Sequence, residues 1–263
     1  MSFVNYTVPG ATKPAPGLAD YALYLPKEYG TIPGKKYPVL YLLHGGGANA
    51  AAWPNNERVH HIIDRLIMLN YTIPFVTVMP SYTSLGPGIA NNASAIRESL
   101  FAHFMPHVES TYDVATDSGS RAVAGLSFGS VTTYEMYINA TSYFTYYGMF
   151  SGALLPGASQ TAYVNASMVA ANPDLTTRSL LVSMGAFDIA FEDARQLQVA
   201  LDALEIQYIS RLVPYAAHYY NNWQDAFWHF GQIVLWKQAP QNITTGHGAV
   251  PFNVQYEGRH HDA

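Results

Sequence analysis

The chain has 263 residues, of which 49% are hydrophobic and only 12% are charged. That low charge indicates a large buried core and argues against a disordered chain. The net charge of −5 is spread along the sequence without a basic run, so nucleic acid is not an expected partner. The lack of cysteine excludes disulfides, thiolate metal ligands and a cysteine nucleophile. No apolar run is long enough to span a bilayer, so we expect no membrane association.

The N-terminal residues 1–5 have neither a basic start nor an apolar stretch, so we expect no signal peptide in them. Glycosylation sequons are nevertheless more frequent than this composition gives by chance. They begin at Asn5, Asn70, Asn92, Asn139, Asn165 and Asn242. We therefore expect a secreted protein whose signal has been removed.

Strand-like and helix-like segments alternate along the chain. Apolar runs predict strands at residues 21–25, 39–43, 75–79, 122–124, 147–150, 180–184 and 208–213. Apolar residues at helical spacing predict helices at residues 59–69, 94–112, 191–204 and 222–236. This alternation indicates an α/β fold, with a mostly parallel sheet covered by helices on both faces and an antiparallel edge at the first run. Without a repeat or a linker, we expect one domain over residues 1–263, with a polar tail from about residue 240.

The strongest chemical motif is G-x-S-x-G, which runs from Gly125 through Ser127 to Gly129. It follows one predicted strand directly and precedes a helix-compatible segment. A serine on such a tight turn projects its Oγ away from the sheet, and the flanking glycines allow the turn without Cβ clashes. The helix that follows directs its free N–H groups at the site, where an oxyanion would form. Ser127 is therefore the candidate nucleophile.

A glycine loop follows the strand at 39–43, where the sequence reads His44-Gly45-Gly46-Gly47. In such a loop, main-chain N–H groups can approach a substrate closely. We expect the oxyanion donors to be the amides of Gly46 and Phe128, with Gly47 as the neighbouring candidate. His44 is expected to brace the loop rather than to act as a base.

A nucleophilic serine needs a base and an orienting carboxylate, which follow it in the order Asp or Glu, then His, in this kind of fold. Asp188 follows the strand at 180–184, and His218 follows the last predicted strand. Glu192 and Asp193 are alternatives, but they lie at the start of a helix, where acidic residues are common. The other histidines fall in helices or in the polar tail and lack acidic or cysteine partners at ligand spacing. We therefore expect neither a metal nor another cofactor.

Several sequence blocks resemble carbohydrate esterase family 1, which includes feruloyl esterases and acetylxylan esterases. They are the opening at residues 24–45, the glycine-containing loop at 85–90, the nucleophile block at 121–127, and the H-x-x-x-x-W block from His218 to Trp223. The resemblance covers roughly residues 20–237. The chain departs from the family at Phe128, where Met is usual, at the Gly129-Ser130 pair, and at Tyr219, where Asp is common.

The resemblance implies an α/β-hydrolase fold and a serine esterase with the triad Ser127, Asp188 and His218. It also implies a plant cell-wall substrate, feruloylated or acetylated xylan, of which we favour the hydroxycinnamoyl ester of arabinoxylan. Aromatic residues next to the motifs are expected to contact this substrate, namely Trp53, Tyr82 and Tyr219. We expect the protein to be a monomer.

Two alternatives remain at this stage. An acetylxylan esterase of the same family would release acetate instead of ferulate. A catalytically silent α/β-hydrolase would only bind carbohydrate, although an apparently complete Ser, Asp and His set argues against it.

Overall fold

The computed structural model describes residues 1–6, 8, 19–86, 88–155 and 159–237. The predicted polar tail and the last sequon lie outside these residues. The strands are β1 (Ser2–Val4), β2 (Tyr21–Tyr24), β3 (Val39–Leu43), β4 (Val76–Pro80), β5 (Arg121–Leu126), β6 (Tyr146–Phe150), β7 (Ser179–Phe187) and β8 (Ile209–Ala217). They form one sheet in the order β1-β2-β4-β3-β5-β6-β7-β8.

Helices connect most of the parallel strands. They are α1 (Val59–Met68), α2 (Tyr82–Leu85), α3 (Ala93–Ser99), α4 (Met105–Thr111), α5 (Phe128–Asn139), α6 (Ala166–Ala171), α7 (Phe191–Ala203) and α8 (Tyr220–His229). Across the ranges given above, no helix is both long and apolar enough to cross a membrane.

The sheet has the predicted architecture. Strands β3 to β8 pair in parallel, whereas β1 and β2 form an antiparallel edge. The central strands β3 and β6 are buried at every position, as expected for parallel strands with helices on both faces. Two apolar clusters lie on opposite sides of the sheet, one built around Tyr41 and Phe104, the other around Trp53 and Phe227.

Two predicted helices are interrupted. The segment at 94–112 contains a π turn at Leu100–Phe104 between α3 and α4. Pro106 occupies the first turn of α4 and has no N–H to continue the α-helical ladder, so the hydrogen-bond pattern changes before it. The segment at 222–236 likewise ends in a π turn at Phe230–Val234, after α8.

The strands β7 and β8 extend beyond the predicted boundaries. Gly185 and Pro214 are residues that usually end a strand, and for this reason the apolar pattern stops near them. Pairing nevertheless resumes at Phe187 and Ala217, with an irregular register after Gly185. The extension places Asp188 and His218 at the ends of adjacent strands.

An ion pair fixes α8 against β8. Arg211 Nε donates to Asp225 Oδ1 at 2.7 Å, and His229 Nδ1 lies 3.2 Å from the same oxygen. Burial alone would raise the pKa of Asp225, but hydrogen bonds from His229 and Arg211 lower it to about 2. Because α8 follows His218 directly, this pair also holds the segment that begins with the candidate base.

Asp225→Asn should therefore destabilise the protein in a pH-dependent way. The folded-state pKa of Asp225 is depressed, so its contribution is present above about pH 4 and is lost as the pH falls towards 2. We expect the variant to lose roughly 2 kcal/mol of unfolding free energy at pH 7, and the difference to narrow as the pH falls below about 4. Urea denaturation at several pH values measures this. Asp113→Asn, which breaks an exposed pair with Lys36, is the control. A pH-independent loss in Asp225→Asn would contradict the prediction.

Candidate active site

Ser127 lies at the turn between β5 and α5, with φ 54° and ψ −120°. This left-handed conformation is strained for a serine and is typical of functional turns. The turn is possible only because two glycines flank it. A Cβ on Gly125 would lie 2.4 Å from the Gly129 carbonyl, and one on Gly129 would lie 2.5 Å from the Leu43 oxygen. The backbone of the turn is thus packed against β3, with Ser127 held above the sheet.

Ser127, His218 and Asp188 form one hydrogen-bonded array. With His218 protonated on Nδ1, the Ser127 hydroxyl donates to His218 Nε2 at 2.9 Å, and Nδ1 donates to Asp188 Oδ1 at 2.7 Å. The structure therefore brings together the three residues proposed for the triad. In this array the histidine can accept the serine proton, and the carboxylate can stabilise the charge that results.

Asp188 is buried, and both of its oxygens accept hydrogen bonds. Oδ1 accepts from His218 and from the Ala190 amide, while Oδ2 accepts from Ser151 Oγ at 2.5 Å and from Asn222 Nδ2 at 2.8 Å. Burial alone would raise the pKa of Asp188, but the hydrogen bonds from His218, Ser151 and the Ala190 amide lower it below its usual value. Asp188 is therefore an anion at neutral pH, as its orienting role requires.

Ser151 and Asn222 are residues that sequence reasoning missed. Besides donating to Asp188, the Ser151 hydroxyl accepts hydrogen bonds from Asn222 Nδ2 at 3.0 Å and from Trp223 Nε1 at 2.9 Å. The tryptophan of the H-x-x-x-x-W block is thus linked to Asp188 through one serine. One signal was available, because Ser151 directly follows β6, at the edge of the sheet where Ser127 and Asp188 also lie.

Ser151→Ala should slow the enzyme without unfolding it. The substitution removes one hydrogen bond to the Asp188 carboxylate and takes away the acceptor of Trp223 Nε1, while Asn222 keeps its bond to Asp188 Oδ2. Because a hydrogen bond to a charged group contributes about 1.5–3 kcal/mol, we expect kcat to fall about tenfold or more. Steady-state kinetics with an aryl ester measures this, and circular dichroism checks folding. An unchanged kcat would show that Ser151 does not support Asp188.

His44 braces the glycine loop, as predicted. It is buried, its Nδ1 donates to Gly45 O at 2.7 Å, and its Nε2 accepts from the Tyr82 amide at 3.3 Å. Burial lowers the pKa of His44 to about 4, so the ring is neutral at physiological pH. A neutral ring with one donor and one acceptor satisfies both contacts.

Gly46 and Phe128 lie side by side next to Ser127. A Cβ on Gly46 would lie 3.8 Å from Phe128 Cβ, and both residues line the cleft that contains Ser127 and His218. Their amides therefore lie beside the candidate nucleophile, where oxyanion donors are expected. The assignment of these amides, or that of Gly47, as oxyanion donors stays a prediction.

The three aromatic residues expected to contact the substrate occupy different environments, and none is among the residues that line the cleft. Trp53 is buried, donates from Nε1 to Leu43 O at 2.9 Å, and packs against Phe227. Tyr82 is also buried, and its hydroxyl donates to His44 O at 2.6 Å. We therefore assign Trp53 and Tyr82 structural roles beneath the glycine loop rather than contacts with the substrate, because their polar ends already form hydrogen bonds inside the protein. Tyr219 is exposed beside His218.

A cleft of about 750 Å³ opens beside Ser127 and His218. Its apolar wall includes Leu154, Leu155 and Ile189, while Glu192 and Gln196 supply polar groups. This volume lies within the range of small-molecule sites, which are mostly apolar with a few polar groups. The cleft can therefore hold an acyl group much larger than acetate.

Asp193 holds one wall of this cleft in place. Its carboxylate accepts hydrogen bonds from the amides of Ala153 and Leu154 and from the Tyr163 hydroxyl, the last at 2.6 Å. The sequence explained Asp193 only as an acidic residue at the start of a helix. Its contacts with a loop forty residues earlier require the tertiary fold.

The α/β-hydrolase fold and the Ser–His–Asp array define the class of this protein, a serine hydrolase. The family model named Esterase matches residues 19–233. The chain belongs to the esterase family and is a serine esterase.

Two solved structures are similar in fold. The feruloyl esterase module from Clostridium thermocellum, complexed with sinapinate, is 20% identical with a TM-score of 0.68, covering 99% of this chain and 100% of that one. A CE1 ferulic acid esterase from the anaerobic fungus Anaeromyces mucronatus is 20% identical with a TM-score of 0.65, covering 81% of this chain and 83% of that one. At this identity, the two likenesses show that the chains share the α/β-hydrolase fold.

A curated relative is the endo-1,4-beta-xylanase/feruloyl esterase of Xylanibacter ruminicola. It is 33% identical over 140 residues, which are 49% of this chain. The match covers only 19% of that relative's length.

Proposed function

We propose that this protein is a feruloyl esterase that hydrolyses hydroxycinnamoyl esters of arabinoxylan. The observation that carries this proposal is the cleft beside Ser127, which has an apolar wall and a volume of about 750 Å³. An acetyl group would leave most of that space to water, whereas an aromatic acyl group would bury its ring against Leu154, Leu155 and Ile189. The names of the similar proteins, which include feruloyl and ferulic acid esterases, support the same substrate class.

The proposed reaction has two halves. Ser127 Oγ attacks the ester carbonyl while His218 Nε2 takes its proton, and Asp188 stabilises the imidazolium. The amides of Gly46 and Phe128 stabilise the oxyanion of the tetrahedral intermediate. His218 then protonates the departing sugar oxygen, leaving an acyl-serine. A water molecule, deprotonated by His218, attacks the acyl-serine and releases the acid and the free serine.

The test compares two ester classes under the same conditions. Ferulate release from a feruloylated arabinose ester and acetate release from acetylated xylan are each quantified by chromatography. We expect kcat/KM for the feruloyl ester to exceed that for the acetyl ester by about a hundredfold, because aromatic burial of about 3 kcal/mol is available only to the larger group.

The other outcomes identify the alternatives. Rapid acetate release without ferulate release would make the protein an acetylxylan esterase. Hydrolysis of neither ester by the folded protein, with retained xylan binding, would make it a silent carbohydrate-binding α/β-hydrolase.

We further propose that the protein is secreted, because polymeric xylan is too large to enter a cell. The sequons Asn70, Asn92 and Asn139 are exposed and would be accessible to glycosylation in a eukaryotic host. Immunodetection in culture medium and in washed cells tests this. Retention of the protein in the cells would contradict the proposal.

A further inference from the structure

Exposed hydrophobic side chains concentrate around the triad. Among the described residues, the three most exposed large hydrophobic side chains are Tyr215, Ile189 and Phe187, at 90%, 84% and 70%. Each lies within three positions of Asp188 or His218. Ile189 lines the acyl cleft, but Phe187 and Tyr215 do not, and neither does the exposed Tyr219. The acyl cleft therefore does not explain these three aromatic residues.

The three aromatic residues surround one position of the backbone. Phe187 is the register partner of Ala217, Tyr215 lies two residues before Ala217, and the Tyr219 amide donates to Ala217 O at 2.8 Å. Their Cα atoms thus all lie within about 7 Å of Ala217. We name Phe187, Tyr215 and Tyr219 the aromatic platform. It adjoins His218, which directly follows Ala217.

The backbone supports the exposure of this platform. Between the Gly185–Val213 pair and the Phe187–Ala217 pair, one residue of β7 faces three residues of β8, so β8 carries a bulge. Tyr215 lies in that bulge with φ 59°, a left-handed conformation that is strained for a tyrosine. A strained backbone that presents an aromatic ring to water reduces stability, and this indicates that the ring has a partner.

The partner must fit the geometry of the reaction. In an ester bound at Ser127, the acyl group occupies the cleft, while the alcohol group lies on the side from which His218 Nε2 can protonate it. Tyr219 directly follows His218, Tyr215 lies three residues before it, and all three platform side chains are exposed and lie outside the cleft. Aromatic rings bind sugars through the apolar C–H faces of the pyranose or furanose ring.

We propose that the aromatic platform binds the glycan chain to which the ester is attached, on the leaving-group side of His218. This inference rests on the proposed function and adds a second binding surface to it. Phe187 and Tyr215 are specificity residues for the polysaccharide, whereas the cleft selects the acyl group. The enzyme therefore recognises polymeric substrates better than small esters with the same acyl group.

The binding test does not depend on ester cleavage. Ser127→Ala protein is run through native gels that contain saponified arabinoxylan, which carries no acyl groups, and through gels that contain dextran. We expect retardation by arabinoxylan only, and about a tenfold weaker affinity when Phe187→Ala and Tyr215→Ala are added. Phe3→Ala, an exposed aromatic on β1 at the opposite edge of the sheet, is the matched control and should leave the retardation unchanged.

Kinetics provide the second readout. With Ser127 intact, the ratio of kcat/KM for feruloylated arabinoxylan to kcat/KM for methyl ferulate should fall about tenfold in the double variant, mainly through KM, and should stay constant in Phe3→Ala. Unchanged retardation and an unchanged ratio in the double variant would overturn the proposal. A second result would also overturn it. If analytical ultracentrifugation shows that the wild-type protein is a dimer and the double variant a monomer, the platform binds a second copy of the chain. A failure to hydrolyse methyl ferulate at all would instead refute the proposed function. The gel retardation would still test glycan binding, because it does not depend on ester cleavage.

Discussion

Ser127→Ala should lower kcat for a feruloyl ester by about a million-fold, to a rate set by the remaining binding and polar groups. Without the Oγ, no acyl-enzyme can form, and His218 Nε2 loses the hydroxyl that it contacts at 2.9 Å. Folding should be preserved, because alanine can adopt the backbone of the turn about as well as serine and, among the residues that the structure describes, only His218 loses a side-chain hydrogen-bond partner. Chromatographic assay of ferulate over long incubations measures the residual rate.

The matched control is Ser110→Ala, an exposed serine at the end of α4, which should keep full activity. Mass spectrometry of the wild-type protein after rapid quenching should detect an acyl group on Ser127, and the variant should show none. Substantial ester hydrolysis by Ser127→Ala would exclude the proposed mechanism and indicate direct attack by water.

Asp188→Asn should lower kcat by about ten-thousand-fold while leaving the fold intact. The carboxylate accepts four hydrogen bonds, and an asparagine offers only one acceptor oxygen for the same donors. If that oxygen stays with Ser151 and Asn222, the new NH₂ group faces His218 Nδ1. The imidazole then carries its proton on Nε2 and can no longer accept the proton of Ser127.

Kinetics and NMR together check this prediction. The ¹⁵N shifts of His218 report which ring nitrogen is protonated, and they should differ between wild type and variant. Asp113→Asn, at an exposed aspartate, is the control and should have normal kcat. A variant that keeps more than a tenth of kcat would exclude Asp188 as the orienting acid.

Local patterns were sufficient for most of the fold. The parallel strands read as short apolar runs because both faces are buried, and the strand at 39–43 was predicted with the bounds that the structure shows for β3. The predicted strand ends were wrong at residue types that occur both at the ends of strands and inside them. Gly185 and Pro214 are common strand ends, yet here they lie inside β7 and β8 because cross-strand pairing continues around a bulge.

The nucleophile turn was predictable because its cause is local. The short contacts that a Cβ on Gly125 or Gly129 would make show that the turn itself requires glycine at both positions. The order of Ser127, Asp188 and His218 along the chain, each placed after a strand, was enough to propose the triad. Neighbouring parallel strands end at the same edge of a sheet. Residues that follow such strands therefore lie close together in space although they are far apart in the sequence.

The residues around the triad were not predictable in the same way. Trp53 and Ser151 show the contrast. Trp53 follows the glycine loop and was expected at the substrate, but its indole N–H is bonded to Leu43 O and its ring packs in the core. Ser151 has no motif, yet its hydroxyl links Asp188, Asn222 and Trp223. The direction of a side chain after a turn depends on its long-range neighbours, and no local pattern contains them.

The fold class, the nucleophile turn and the triad thus follow from patterns within single segments and from their order along the chain. The shape of the acyl cleft, the support of Asp188 and the exposure of the aromatic platform do not. Each of these depends on contacts between segments far apart in sequence, such as Asp193 with Leu154 and Phe187 with Ala217. Hydrophobic periodicity and turn chemistry act over a few residues, whereas packing and hydrogen bonding between elements exist only once the sheet and its helices have assembled.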